Sequence, residues 1–314
     1  MSKWLIAVFL ACAVSSPSVS LAQRLLQAQW YGTTDFFVAT RSMTDTVFQR
    51  NQEVLVDDMG AVLSTVVGTE NMLPLDLDFA PGGRLTLGRQ FGEFGFEGTY
   101  TQTGMWSAYS AATSASGMLA SPFSLVGSDV DPVFDNNILA SVQYETEMLS
   151  GELSMTQLAY SNGDCDATFV YGLRTMWIDE SFSYFSTNAT GDNILNTAAE
   201  NWMIGPQVGL RTSSPLWYGN LGIVLKGGLL ANDIDFGSNF NGDLVSRSDG
   251  YATLLFDFAI DYTFTPVRNV SVHFGYQLLA LSDVGLAIND PLIAEEITDD
   301  VAYQAPYIGV SFMR

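Results

Sequence analysis

The chain of 314 residues sets 34 acidic side chains against 12 basic ones, a formal charge of −22, which excludes a protein that grips nucleic acid or an anionic surface by charge. Charged residues are nevertheless only 15% of the total and mean hydropathy is +0.18, a pairing foreign to a soluble acidic protein covered in Lys and Glu. Nothing after Ala22 approaches the roughly 18 uninterrupted apolar residues of a membrane helix, so a membrane location requires a closed β-barrel.

In chain order, Lys3, the apolar stretch Trp4 to Val14 and the small-x-small site Ser20-Leu21-Ala22 read as a secretory signal, predicting removal of residues 1–22 and a single barrel domain over 23–314. Cleavage there removes Cys12 and leaves Cys165 alone, so no intramolecular disulfide and no cysteine zinc site can form. Strand candidates follow at about 30–41, 83–91, 94–106, 139–159, 167–185, 197–212, 219–235, 250–264, 269–284 and 301–313. The gaps between them alternate: 92–93, 160–166, 213–218 and 265–268 are short, whereas 42–82, 107–138, 186–196, 236–249 and 285–300 are long. That alternation predicts an all-β fold: an antiparallel up-and-down transmembrane β-barrel of about ten strands, with short periplasmic turns and long extracellular loops. Twelve strands result if 42–82, with its runs TVFQRNQEVLV and GAVLSTVVG, spans twice instead of standing above the membrane as a hairpin.

Within 251–264 the residues separate by parity into Ala252, Leu254, Phe256, Phe258, Ile260, Tyr262 and Phe264 on one face and Tyr251, Thr253, Leu255, Asp257, Ala259, Asp261 and Thr263 on the other. The strands at 219–231 and 269–280 alternate likewise, and their polar face is Gly, Ser, Asn and Gln with an occasional charge rather than the Lys and Glu of a water-facing exterior. Aromatics bunch at the strand ends: Trp30, Phe94, Trp217, Tyr218, Phe264 and Phe312 beside the short turns, Trp106, Trp177, Trp202 and Tyr251 toward the long loops, as two interfacial girdles. In 139–159, Val142 and Tyr144 share a parity with Glu152, which predicts a bulge near Leu149-Ser150-Gly151 if Glu152 points inward.

The segment PGGRLTLGRQFGEFGFEGTY (81–100) resembles a hairpin of the β-barrel porin family abundant in planctomycetes. VYGLRTMWIDESFSYF (170–185) and MIGPQVGLR (203–211) are similar to two further strands of that family, and together these stretches cover about half of the mature chain. The resemblance implies an outer-membrane barrel and carries over no catalytic residue and no defined substrate.

Parity places Asp35, Arg84, Glu97, Glu152, Arg174, Arg211, Lys226, Asp257, Asp261 and His273 in the lumen as a near-balanced charge network, with Lys226 the expected partner of the two aspartates. His273 is the only histidine, and an acid–histidine pair at a rim is the one arrangement that would suit a hydrolase. No nucleophile elbow, zinc-protease helix, P-loop or dinucleotide fingerprint accompanies it, and no enzyme is expected. The oxygen-rich stretches 74–79, 128–137, 232–243 and 295–300 admit calcium without matching the spacing of a helix-loop-helix calcium site, and no other cofactor is implied. The expected partners are outer-membrane lipid, lipopolysaccharide and small solutes, with no nucleic acid. A narrow channel for small or cationic solutes is the first expectation, and a closed barrel presenting acidic loops is the alternative.

Overall fold

The computed structural model describes residues 29–42, 50–56, 62–68, 77, 79–113, 119–120, 137–289 and 298–314. The signal segment and most of the acidic stretches at 74–79, 128–137 and 295–300 lie outside the described residues. The strands are β1 (Gln29–Arg41), β2 (Arg50–Val56), β3 (Val62–Gly68), β4 (Ala80–Phe91), β5 (Phe94–Thr103), β6 (Trp106–Thr113), β7 (Leu119–Ala120), β8 (Leu139–Ser161), β9 (Asp166–Asn188), β10 (Gly191–Leu216), β11 (Gly219–Phe240), β12 (Asp243–Val267), β13 (Val270–Gly285) and β14 (Thr298–Met313).

An eleven-stranded antiparallel sheet runs in the order β5-β4-β1-β14-β13-β12-β11-β10-β9-β8-β6, and β5 pairs back onto β8 to close a ring. Because β5 and β6 lie end to end along β8, ten strands surround the lumen. β2, β3 and β7 form a separate three-stranded sheet, so the segment between β1 and β4 supplies a hairpin outside the ring and the twelve-strand alternative falls away.

The strands run far beyond the sequence expectation. β10 has 26 residues and β12 has 25; at about 3.3 Å per residue β10 is about 85 Å long, whereas about 9–11 tilted residues cross a bilayer. Two of the supposed long loops are strand instead: β9 and β10 are joined by a turn at 189–190, β11 and β12 by one at 241–242. In the second, Asn241 and Gly242 both have positive φ (48° and 102°), the twist-matched geometry for which Asn-Gly is preferred. The acidic stretch at 232–243 is thus mostly β11, whose Ile234 and Phe236 are buried inward while Asp233 and Asp235 face out.

No bulge occurs at 149–151, where β8 and β9 stay in register. Val142, Tyr144, Thr146, Met148, Ser150, Ser154 and Thr156 are all buried on the inward parity that Glu152 shares, because the upper interior is apolar and takes Val142 and Tyr144 as readily as the lower interior takes Glu152. The parity break lies instead between β5 and β6. From Gln102 to Trp106 the chain advances four residues while β8 advances three, from Leu149 to Thr146. The extra residue at Gly104-Met105 turns Trp106 inward, as a bulge does.

Candidate functional site in the barrel interior

Two layers fill the interior. The lower one, toward the short turns, is ionic. Asp35 on β1 receives Arg84 from β4 at 2.6 Å and meets His273 from β13 across Gly309 of β14, where a side chain would collide with both. Arg211 forks onto Glu97 at 2.8 and 3.2 Å, and Tyr31 donates to the same carboxylate at 2.8 Å. Arg174 joins Asp257 at 2.8 Å to Glu152 at 3.5 Å, while Lys226 binds Glu152 at 2.7 Å. Gln277 links two of these clusters by donating to Asp257 and accepting from Arg84.

Of the ten residues assigned to the lumen, eight therefore meet in ion pairs, His273 hydrogen-bonds to Asp35, and Asp261 accepts a hydrogen bond from Thr263. Lys226 does pair with Asp257, at 3.9 Å, but Arg174 is the nearer cation at 2.8 Å because Glu152 takes the Lys226 ammonium at 2.7 Å, and among the described residues Lys226 makes no ion pair with Asp261. Burial makes this pairing necessary, since a carboxylate removed from water without a partner is costly. A chamber of about 230 Å³ remains between Tyr31, Glu97, Arg211, Lys226, Asp261 and His273.

The upper layer is apolar. Trp106, Tyr144, Met176, Ile178, Phe182, Tyr184, Met203, Leu230 and Ile234 are all under 2% exposed, packed out of reach of solvent. The chain after β13 adds to the filling. Val284, Leu286, Ala287 and Ile288 are buried around a short 3₁₀ turn at Ala287–Asn289. This stopper hangs from the wall by its backbone: Asn201 donates to Gly285 O at 2.8 Å and accepts from Gly285 N at 2.7 Å, Thr197 donates to Ala287 O, and Glu180 accepts from Ala287 N at 3.0 Å.

Among the apolar side chains sits a further buried ion pair, Arg41 with Glu180, which the sequence reading did not include in the network. Tyr144 donates to Glu180 at 2.5 Å and accepts from Arg41 at 3.3 Å. Burial opposes the Arg41 charge, but the facing Glu180 outweighs it and holds the guanidinium above its ordinary value. Burial also pushes the Tyr144 phenol well above its ordinary value, with Glu180 adding to the shift and Arg41 opposing it. The only signal in the sequence was parity: Glu180 shares the inward set of β9 with Arg174, Met176 and Ile178.

Outside, the aromatics fall into two groups. Trp30, Phe312 and Phe264 face outward near the short-turn end, Phe94 is half-buried there, and Trp217 and Tyr218 form a fully exposed turn. Arg89 stacks on the rings of Trp30 and Phe91 at about 5 Å. At the other level Trp177 and Trp202 are direct cross-strand neighbours and both point out. Trp106 does not join them. It is wholly buried, donates from Nε1 to Ala39 O at 2.9 Å and packs on Tyr303, because the bulge before it reverses its face. Tyr251 likewise packs against the interior core. Between the two aromatic levels the outward residues are large and apolar, including Phe36, Leu87, Leu153, Leu173, Val208, Leu225, Leu254 and Ile308. Such a belt is stable only against lipid.

The fold is an outer-membrane β-barrel. The outer-membrane protease OmpT of Escherichia coli matches over 90% of this chain and 97% of its own, with a TM-score of 0.54 and 10% identity. The translocator domain of the autotransporter NalP of Neisseria meningitidis matches over 96% and 91%, with a TM-score of 0.39 and 10% identity. The toluene transporter TodX of Pseudomonas putida matches over 92% and 90%, at 0.33 and 7%. Comparison of the sequence with protein-family models and with curated proteins finds no match.

Proposed function

We propose that the protein is a non-enzymatic outer-membrane barrel, closed at rest, whose work is done by the part of its wall and loops that rises above the membrane. The observation carrying this reading is the apolar layer. A conducting lumen is lined by groups that replace or retain the hydration of a solute, and nine side chains under 2% exposed across the upper interior do neither. The extended strands β9 to β12 then serve as a rigid pedestal for the acidic loops, where a partner, a surface glycan or calcium would bind. Membership of the planctomycete β-barrel porin family remains part of this proposal and rests on the strand motifs at 81–100, 170–185 and 203–211.

A narrow channel for small or cationic solutes is the second reading. It is favoured by the polar chamber of about 230 Å³ and by Asp261, a carboxylate facing it that makes no ion pair among the described residues. A rim hydrolase, the reading that the protease among the structural neighbours invites, finds less support, because the Asp35–His273 pair lies in the lower ionic layer with Arg84 on the same carboxylate.

Conductance of the purified protein in a planar bilayer tests the first reading against the second. Silence is expected, and steady cation-selective openings would replace the closed barrel with the channel. Orientation is checked on intact cells with a membrane-impermeant thiol reagent. Asn241→Cys in a Cys165→Ser background should label, whereas Asn269→Cys in that background and the native Cys165, in the turn between β8 and β9, should not. Equal labelling of all three would overturn the assignment of the long-strand end to the outside.

A further inference from the structure

The lipid-facing wall is not smooth. Across β4, β5, β8, β9 and β10 runs a groove of about 500 Å³ whose sides are Leu85, Leu87, Tyr100, Leu153, Leu173 and Ile204. Its floor is low because Gly98 and Gly151 stand on the outward parity of adjacent strands, where Gly98 pairs with Leu153 and Tyr100 with Gly151. One residue pair further up the same strands a second depression of about 320 Å³ continues the line, lined by Gln102, Glu147, Leu149, Trp177 and Asp179. The chemistry changes along this path. The lower part is apolar and lies within the lipid belt; the upper part begins beside Trp177, at the outer aromatic level, and carries two carboxylates.

Glu147 and Asp179 are directly opposed across β8 and β9, and Glu200 on β10 is the next in the same row. Like charges placed opposite one another on a sheet repel, and no basic side chain among the described residues forms an ion pair with Glu147 or Asp179. From Leu153 to Glu147 is six residues along β8, about 20 Å of strand, a length that an extended acyl chain follows.

We propose that this groove is a binding site for a single outer-leaflet lipid whose headgroup carries a primary ammonium, with one acyl chain laid over Gly98 and Gly151 and the ammonium donating to Glu147 and Asp179. Complementarity decides the class. An apolar channel ending at an interfacial tryptophan selects an amphiphile, and an uncompensated pair of carboxylates at its head favours a cation over a bare phosphate. The inference does not depend on whether the lumen conducts.

The test uses the whole purified barrel in bilayers of phosphatidylcholine with trace chain-spin-labelled phosphatidylethanolamine or phosphatidylglycerol of matched chains. The motionally restricted fraction is read by electron paramagnetic resonance. Phosphatidylethanolamine should be held on the order of fivefold more strongly than phosphatidylglycerol, about the effect of one exposed charge pair. Gly98→Leu should abolish the difference by filling the groove; it should fold, since a Cβ there meets nothing nearer than Glu152 O at 3.9 Å. Glu147→Gln with Asp179→Asn should leave a restricted component but erase the headgroup preference. Equal retention of the two lipids by the native protein, or a preference that survives either variant, would overturn the proposal.

Discussion

β10 shows how differently the two ends of this barrel are built. Above Trp202 its outward residues include Asp192, Asn196 and Glu200 and its inward ones include Leu195 and Ala199; below, the outward row is Ile204, Pro206, Val208 and Leu210 and the inward row holds Gln207 and Arg211. β9 changes in the same way about Trp177: Asp179, Ser181 and Ser183 outside with Ile178, Phe182 and Tyr184 inside, then Leu173 and Phe169 outside with Arg174 inside. One end is a water-surrounded barrel with an oily core, and the other is a lipid-surrounded barrel with a polar one. The apolar face follows whichever side lacks water, and the exchange dates the exit from the membrane to the paired tryptophans.

The largest expected effect of disturbing that arrangement is in the ionic layer. Arg174→Met removes the cation between Glu152 and Asp257, both buried, and leaves Lys226 to serve two carboxylates. Breaking a buried pair costs about 3–5 kcal/mol, and refolding into detergent micelles followed by urea titration should show a loss of that order. Arg174→Met combined with Asp257→Asn should recover part of it. A single variant as stable as the native protein would mean that the lower interior is wet enough to screen these charges.

Next in size is a charge placed on the same outward parity at two heights. Leu225→Arg, in the lipid belt, should cost about 2–4 kcal/mol on folding into bilayers, whereas Ala198→Arg, above the tryptophans, should stay within about 0.5 kcal/mol. Both residues are exposed in the structure and differ only in what surrounds them. Equal penalties would extend the membrane past Trp202, and equal tolerance would remove it from Leu225.

Why part of this was legible and part was not follows from the same exchange. Parity needs only a period of two, so Asp35, Glu97, Arg174 and Asp257 could be set on one face of their strands from the sequence alone. Parity does not say what fills the face. In β8 the inward row runs from Val142 and Tyr144 through Ser150 to Glu152 without a break, and a reading that assigned apolar to lipid had to invent a bulge there. The real bulge, at Gly104-Met105, is marked only by a glycine, and it moved Trp106 from the expected girdle into the core. Strand length misled for a related reason. Above the membrane β9 to β12 carry Asp, Asn and Ser on the outward side, a composition that suits loops as well as water-facing strands, and only the Asn-Gly turn betrayed the hairpin. Lys226, on the neighbouring strand, could be matched to Asp257 from the sequence, whereas Arg174, the nearer cation, lies three strands away on β9, a distance across the lumen that no local pattern encodes.

The smallest effect sharpens the comparison within the upper layer, where a charged pair survives in apolar surroundings. Tyr144→Phe deletes the hydrogen bond to Glu180 and the longer one from Arg41, while Glu180 keeps Arg41 and the Ala287 amide. The loss should be about 1–2 kcal/mol, the range for a bond to a charged group whose other contacts persist. Its pH dependence distinguishes this bond from simple packing. The phenol titrates near pH 10 when unfolded and well above that in the folded protein, so the neutral form is favoured by folding. Its contribution is complete below about pH 10 and is lost as pH climbs through the raised value. Native protein should therefore lose part of its advantage over Tyr144→Phe in urea titrations at pH 11 compared with pH 8. An advantage that stays constant between those values would mean that Tyr144 ionises equally in both states, which a phenol sealed against Glu180 in an apolar layer cannot do.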